Sequence, residues 1–329
     1  MVSYYYSHTI MPHHHRKKII DIASAIVLLT LIVLDAVLWR NIFVARSNVG
    51  DGGVPDAVAA PRIYFLPVTQ GESALLVLPG GVTVLTDAGF DGSIVDDLQK
   101  VLPPGAPPYI NLAIISYPQA ADYEGYEYLL KHYQVGAFIY NGRADVAHST
   151  EWNQLTATIA AKHIPLITIA AGDCIRLGDM ANTVAEIDIL SPGAAFARSP
   201  EPSDTGIVQR VITQKFTALL AADIGVNVED VLLARAAQGA GASASSSATK
   251  TTSLRATILK APFPGLGTAA GDAFLRAVAP HTIVVMPGVK NTASAPTKAM
   301  LAYLASSTAL SVKAAIVSSR PGVFLLYNK

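Results

Sequence analysis

The distribution of apolar and polar positions divides the chain into one long apolar run near its start and a much longer region of short, alternating elements. Ile19 to Trp39 is nearly free of polar residues, and as a helix rising about 1.5 Å per residue it matches the roughly 30 Å hydrocarbon core of a bilayer. Asp21 and Asp35 fall near its ends, where a carboxylate reaches the headgroups, and Trp39 with Arg40 forms an interfacial collar. Arg16, Lys17 and Lys18 ahead of the run set the N-terminal side in the cytoplasm. The expectation is a cytoplasmic tail over 1–18, a transmembrane helix over 19–40 and a Gly-, Pro-, Asp- and Ala-rich linker over 41–60. The rival is a cleaved signal peptide. The nearest small-residue site, Ala57-Val58-Ala59, lies far past the run, which favours an uncleaved anchor.

From about Pro61 the pattern changes. Arg62 to Leu78 alternates β-formers around a tight turn, and a second strand pair turns at Pro79-Gly80-Gly81 and ends in Val84-Leu85. Ile94 to Leu102 has helical spacing. Leu112 to Ile115 is a strand that turns through Ser116-Tyr117-Pro118 into a helix carrying Tyr126, Leu129, Leu130 and Tyr133 on one face. Strands at 137–140, 165–169, 185–190, 207–212 and within 216–225 follow, with a helix over Glu151–His163 and another over Glu229–Ala237. Gln238 to Ser253 is low-complexity and reads as a surface insertion that builds no core. Beyond it come a helix over Asp272–Val278, a buried strand over His281–Pro287, a helix over Thr297–Ser306 and terminal strands near Ala314–Val317 and Val323–Tyr327. Hairpins followed by alternating strands and helices indicate an α/β (α+β) domain over 61–329. The strand, loop and helix from Asn111 to Gly136 are where such a domain places its chemistry.

Composition narrows the options. The chain is 51% apolar and only 15% charged, which fits a membrane segment joined to an alanine-rich globular part. Its formal net charge is zero and its pI is near neutral, so no broad basic field exists to hold nucleic acid. The single cysteine, Cys174, excludes an intramolecular disulfide and a multi-cysteine zinc site; it reads as a packing residue. Of eight histidines, His8, His13, His14 and His15 precede the apolar run, leaving His132, His148, His163 and His281. The sequence holds no Gly-x-Ser-x-Gly elbow and no phosphate-cradling glycine loop with a following lysine.

The segment from Ser116 to Tyr126 resembles, without a gap, the histidine loop of metallo-β-lactamase-fold hydrolases in the version carried by ComEC-type competence proteins. That loop runs Ser-His-Pro-Asp-Ala-Asp-His-Tyr-Glu-Gly-Leu. Ser116, Pro118, Ala120, Tyr123, Glu124 and Gly125 match. Tyr117 stands for the first His, Gln119 for the next ligand, Ala121 for the catalytic Asp and Asp122 for the final His. The opening Phe65-Leu66-Pro67-Val68-Thr69-Gln70-Gly71-Glu72 is similar to the family's Phe-Leu-Asp-Val-Gly-Gln-Gly-Asp hairpin, and Asp87-Ala88-Gly89 matches its Asp-Ala-Gly strand end. Ser203-Asp204-Thr205-Gly206 lies at the family's Asn-Asp-x-Ser segment. Leu219 to Ile224 lies where the family has Leu-Leu-Thr-Gly-Asp-Ile and keeps a ligand position as Asp223. In the Pro-His-His-Gly-Ser turn the histidines are Phe263 and Pro264, and Ala295 replaces the histidine of a Gly-His-Pro turn.

The resemblance implies a four-layer αβ/βα sandwich whose ancestral zinc or manganese site has lost its imidazoles. Asp87, Tyr117, Gln119, Asp122, Asp204, Asp223, Phe263 and Ala295 would line the vestigial pocket, with Asp122 and Asp223 the remaining candidate metal ligands. Catalytic zinc needs about three converging protein ligands and an open position. The expected function is therefore an extracytoplasmic, membrane-anchored pseudoenzyme that acts as a scaffold or binding module, without a cofactor. Two alternatives follow from the same residues. One is a divergent metal-dependent hydrolase of phosphodiesterase or nuclease type; the other is a pocket of Tyr117, Tyr123 and Phe263 that takes a small molecule or a peptide. In competence proteins the similar domain handles incoming DNA, a role that the neutral charge of this chain opposes.

Overall fold

Along strand β1 (Arg62–Phe65), Ile63 and Phe65 face one hydrophobic cluster and Tyr64 faces another, as the period-2 geometry of a strand requires. The same division recurs in β2 (Ala74–Val77), where Leu76 joins the first cluster and Leu75 and Val77 the second, and in β3 (Thr83–Thr86), where Val84 and Leu85 part company. A strand with both faces apolar must be covered on both sides. The fold that results is therefore layered.

The computed structural model describes residues 60–102, 108–145, 147–178, 183–196, 199–240, 253–262, 270–286, 313–316 and 324–325. All lie in the unit that runs from Pro55 to Lys329. The expected tail, transmembrane run and most of the linker fall outside the described residues, as do nearly all of the low-complexity insertion, the helix over Thr297–Ser306, Phe263 and Ala295. Among the described residues no helix is long and apolar enough to cross a membrane.

The remaining strands are β4 (Tyr109–Ile114), β5 (Gln134–Tyr140), β6 (Leu166–Thr168), β7 (Cys174–Gly178), β8 (Thr183–Ser191), β9 (Val208–Thr213), β10 (Thr217–Leu220), β11 (Ile258–Lys260), β12 (Thr282–Val285), β13 (Lys313–Ile316) and β14 (Phe324–Leu325). They form two seven-stranded sheets, ordered β14-β1-β2-β3-β4-β5-β6 and β13-β12-β11-β10-β9-β8-β7. Each is mixed. In the first, β3 through β6 run parallel, and in the second β10 through β13 do. The inner faces meet in a core of Ile63, Phe65, Leu76, Ile114, Ile187 and Leu220 with their neighbours.

Helices cover the outsides. On the first sheet lie α1 (Ser93–Val101), a single turn α2 (Ala120–Tyr123), α3 (Gly125–His132) and α4 (Ser149–Ala161), which bury Ile94, Leu98, Tyr126, Leu129, Trp152 and Leu155. On the second lie α5 (Val226–Ala240) and α6 (Asp272–Val278), with Val228, Leu232, Phe274 and Leu275 inward. Two mixed sheets face to face with helices outside are consistent with the metallo-β-lactamase-like sandwich. One element was not anticipated. Strand β7 closes the second sheet as a hairpin with β8, and it carries Cys174 at its exposed outer edge. Cys174 is thus not a packing residue; its thiol donates to Glu186 Oε1 at 3.3 Å. Desolvation, then that hydrogen bond and the Glu186 charge, push the thiol up to about 12, which removes any nucleophilic character at neutral pH.

Three loops at one end of the first sheet are knitted by their backbones. Ala88 N–H donates to Asp122 O (2.8 Å), Gly89 N–H to Glu72 O (3.0 Å) and Gly125 N–H to Gly89 O (2.8 Å). The approach is so close that a Cβ on Gly125 would stand 2.0 Å from Ala88 O, and one on Gly71 1.7 Å from Ala121 O. Backbone atoms cannot step aside as a side-chain tip can. Gly125→Ala is expected to lower unfolding stability by about 2–3 kcal/mol, measured as a shift in the denaturant midpoint at unchanged slope.

Candidate functional site

Polar residues converge where the parallel strands of both sheets end. Asp87 follows β3, Ser116 and Asp122 follow β4, Asp223 follows β10, and Lys260 is the last residue of β11. Glu72 enters from the β1–β2 hairpin, next to Gly71. The crevice beyond the carboxyl ends of parallel strands is the usual ligand position in α/β folds. Here the strand ends of two facing sheets share it.

Lys260 lies at the centre. It is 4% exposed, and its Nζ donates to the Ala222 carbonyl at 3.0 Å, forms an ion pair with Glu72 Oε2 and lies 3.9 Å from Asp223 Oδ1. Burial acts to lower the pKa of the lysine, but the charges of Glu72 and Asp223 outweigh it, and the ammonium is held above its usual value. It stays charged.

The acids respond in the opposite sense. Burial, opposed by Lys260 and reinforced by Asp223, pushes Glu72 up to about 8. Burial pushes Asp87 up to about 7, against the hydrogen bonds from Ser116. Asp122 is driven well above the carboxyl range by burial and then by the charges of Asp223 and Asp87, and burial raises Asp223 against the pull of Lys260. A single buried cation cannot hold so many carboxylates ionised, so protons are retained among them. Among the described residues no donor reaches Glu72 Oε1, Asp122 Oδ2 or Asp223 Oδ1.

The other residues brace this centre. Asp87 Oδ1 accepts from the Ser116 N–H at 2.8 Å and its Oδ2 from the Ser116 hydroxyl at 2.5 Å, while Ser73 Oγ donates to the Asp87 carbonyl at 2.9 Å. Asp87 therefore fastens the loop after β4 to the end of β3. Its φ of 58° is one that aspartate tolerates better than most residues. Ser116 O accepts from Ile207 N–H at 2.7 Å, which ties the two sheets' loops together. Tyr117 is buried, and desolvation followed by the Asp223 and Asp122 charges raises its hydroxyl pKa. Beside Lys260 remains a cavity of about 10 Å³, lined by Glu72, Asp87, Ser116, Leu220 and Met286 among others. That is room for about one water molecule.

Of the pocket residues expected from sequence, the structure brings together Asp87, Tyr117, Asp122 and Asp223. Gln119 is half-buried and serves as the residue preceding α2. Asp204 is directed elsewhere. Its Oδ2 accepts from Ser199 Oγ at 2.6 Å and its Oδ1 from Asn227 Nδ2 at 3.5 Å, so it holds the loop before β9 to α5. His132, His148, His163 and His281 are all exposed and stand apart from the cluster. Sequence reasoning passed over Lys260 and gave Glu72 only as a departure from a motif. The signal was present: a lysine inside the apolar run Ile258-Leu259-Lys260-Ala261 demands a buried counter-charge.

No protein-family model matches the sequence, and a search of curated proteins finds no match. Solved structures do resemble it. CmlA, a diiron β-hydroxylase from Streptomyces venezuelae, superposes with a TM-score of 0.52 at 10% identity over 82% of this chain and 54% of that chain. A mutant form of CmlA gives 0.50 at 11% identity, with the same coverage. Tm1679, a metal-dependent hydrolase of the β-lactamase superfamily, gives 0.48 at 11% identity over 82% of this chain and 99% of that one. The chain thus spans about half the length of CmlA. Likeness at such identity concerns the fold alone.

The direction of the shifts fixes a pH dependence. The folded-state pKa values of Glu72 and Asp87 lie above those of exposed carboxyls, so the folded protein keeps protons that the unfolded chain has released. Stability of this origin is complete below the ordinary carboxyl range and is lost as pH rises through about 7 to 8. Urea unfolding should show a midpoint that falls between about pH 5 and pH 8. Lys260→Met removes the only cation in contact with Glu72 and Asp223 among the described residues. It should lower stability by about 3–5 kcal/mol at pH 8, and by less at pH 5, where the acids carry protons.

Proposed function

We propose that the chain is a membrane-anchored, extracytoplasmic pseudoenzyme that keeps the sandwich as a scaffold or binding module. The observation that carries this reading is the seat of Lys260. Its ammonium lies 3.9 Å from the Oδ1 of Asp223, the position at which the resemblance implies a metal ligand, and it is paired with Glu72. Asp87 is committed to both donors of Ser116. A divalent cation would have to share this space with a charged lysine and compete for the same oxygens, so the donor set does not fit one. Tyr117 and Ala121 at former ligand and catalytic positions, and a cavity no larger than a water beside Lys260, support the same view.

The anchor rests on the apolar run Ile19 to Trp39 and the basic residues before it. With zero net charge, the partner is a protein or a small molecule in preference to nucleic acid.

A second reading, a divergent metal-dependent hydrolase, is favoured by one feature. Asp122 Oδ2 and Asp223 Oδ1 are buried acceptors with no donor among the described residues, and such oxygens are what an oxygen-seeking cation satisfies. Elemental analysis of the full-length chain, purified without chelators, incubated with zinc and manganese and dialysed, separates the two readings. The expected outcome is metal well below one equivalent and no hydrolysis of bis(p-nitrophenyl) phosphate. A full equivalent of metal with turnover that disappears in Asp223→Ala would establish the hydrolase instead.

A further inference from the structure

A second cavity lies elsewhere, in the outer layer of the second sheet, and shares no lining residue with the Lys260 cluster. Its volume is about 350 Å³, within the lower range of small-ligand sites. Its apolar wall among the described residues is formed by Leu190 at the end of β8, Leu232 on α5 and Leu254. Leu190, Leu232 and Leu254 also belong to the core cluster beneath, so this wall is anchored in well-packed structure.

Among the described residues one charged side chain lines this cavity, that of Arg235, three residues along α5 from Leu232. Its guanidinium lies close against Gly193, where a Cβ would come within 2.1 Å of Nη2. The hydrogen bond it makes among the described residues runs from Nη1 to the Leu190 carbonyl at 3.2 Å. That bond orients the fork without neutralising it, because a carbonyl is uncharged. A half-buried guanidinium with donors to spare beside an apolar wall matches a planar anion that carries a hydrocarbon tail. One cation balances one unit of charge, which selects a monocarboxylate over a phosphate dianion.

We infer that this cavity is a binding site for small amphipathic monocarboxylates, with the carboxylate on Arg235 and the tail along Leu190, Leu232 and Leu254. The site is independent of the scaffold reading and of any metal.

Isothermal titration calorimetry of the full-length chain with octanoate, and with octan-1-ol as the uncharged control, tests it. Saturable binding of octanoate at one site is expected, tighter than that of the alcohol. Arg235→Gln should weaken octanoate binding by about tenfold or more, the loss expected for a charge-assisted pair, and leave the alcohol unaffected. Leu232→Trp, which fills the cavity, should abolish both. The assignment is overturned if octanoate does not bind at millimolar concentration, if Arg235→Gln binds it as the unaltered chain does, or if folded Leu232→Trp retains full affinity. Should Leu232→Trp fail to fold, Arg235→Gln decides alone, since a half-exposed helix position tolerates glutamine.

Discussion

A buried ammonium cannot stand without counter-charge, and buried carboxylates cannot all ionise without a cation; at the junction of the two sheets each requirement answers the other. Lys260 ends a strand of the second sheet, while Glu72 belongs to a hairpin of the first. Their pair therefore spans the sandwich where its inner apolar core stops. A hydrophobic interface has no strong preference for register along its length, but an ion pair in low dielectric does. The hydrogen bond from Thr86 on β3 to Gln209 on β9 crosses the same interface deeper inside, at 3.2 Å. These directional contacts fix how one sheet lies on the other.

The loops around the pair are held by close backbone contacts and by one braced carboxylate. Gly71 and Gly125 permit backbone contacts that any side chain would block, and Asp87 secures the loop after β4 through Ser116. Such a frame has the features of a preorganised site, in which supporting residues lock the geometry before any ligand arrives. Within it, the centre holds a salt bridge and retained protons. Framework and chemistry are thus separable: the first depends on where the backbone can go, the second on a few side-chain termini.

Much of the fold was legible from residue patterns because its signals are local. The face made by Tyr126, Leu129, Leu130 and Tyr133 is buried as its spacing indicated, and Asp272–Val278 is helical over the expected residues. Strand β7 was missed because Cys174 to Gly178 lies at a sheet edge with no fully buried side chain, where burial leaves little trace in sequence. The site was legible in part. Asp87, Asp122 and Asp223 meet, yet Asp204 faces Ser199 and Asn227, since motif spacing states that an acid is present and not which loop it braces. Lys260 escaped notice because its meaning depends on Glu72, a residue 188 positions earlier in the chain by their numbers. Long-range charge pairing has no periodicity to reveal it.

The identity of the cation at the centre has a thermodynamic corollary. An ion taken from solution stabilises a fold by mass action, and only as far as its free concentration exceeds its dissociation constant. The ammonium of Lys260 is delivered with the backbone, at fixed stoichiometry, when the chain is synthesised. Dilution, chelators and competition from foreign ions cannot remove it. The contacts that Lys260 makes at the junction between the sheets therefore do not depend on the ionic supply of the surrounding compartment, and they respond to proton activity.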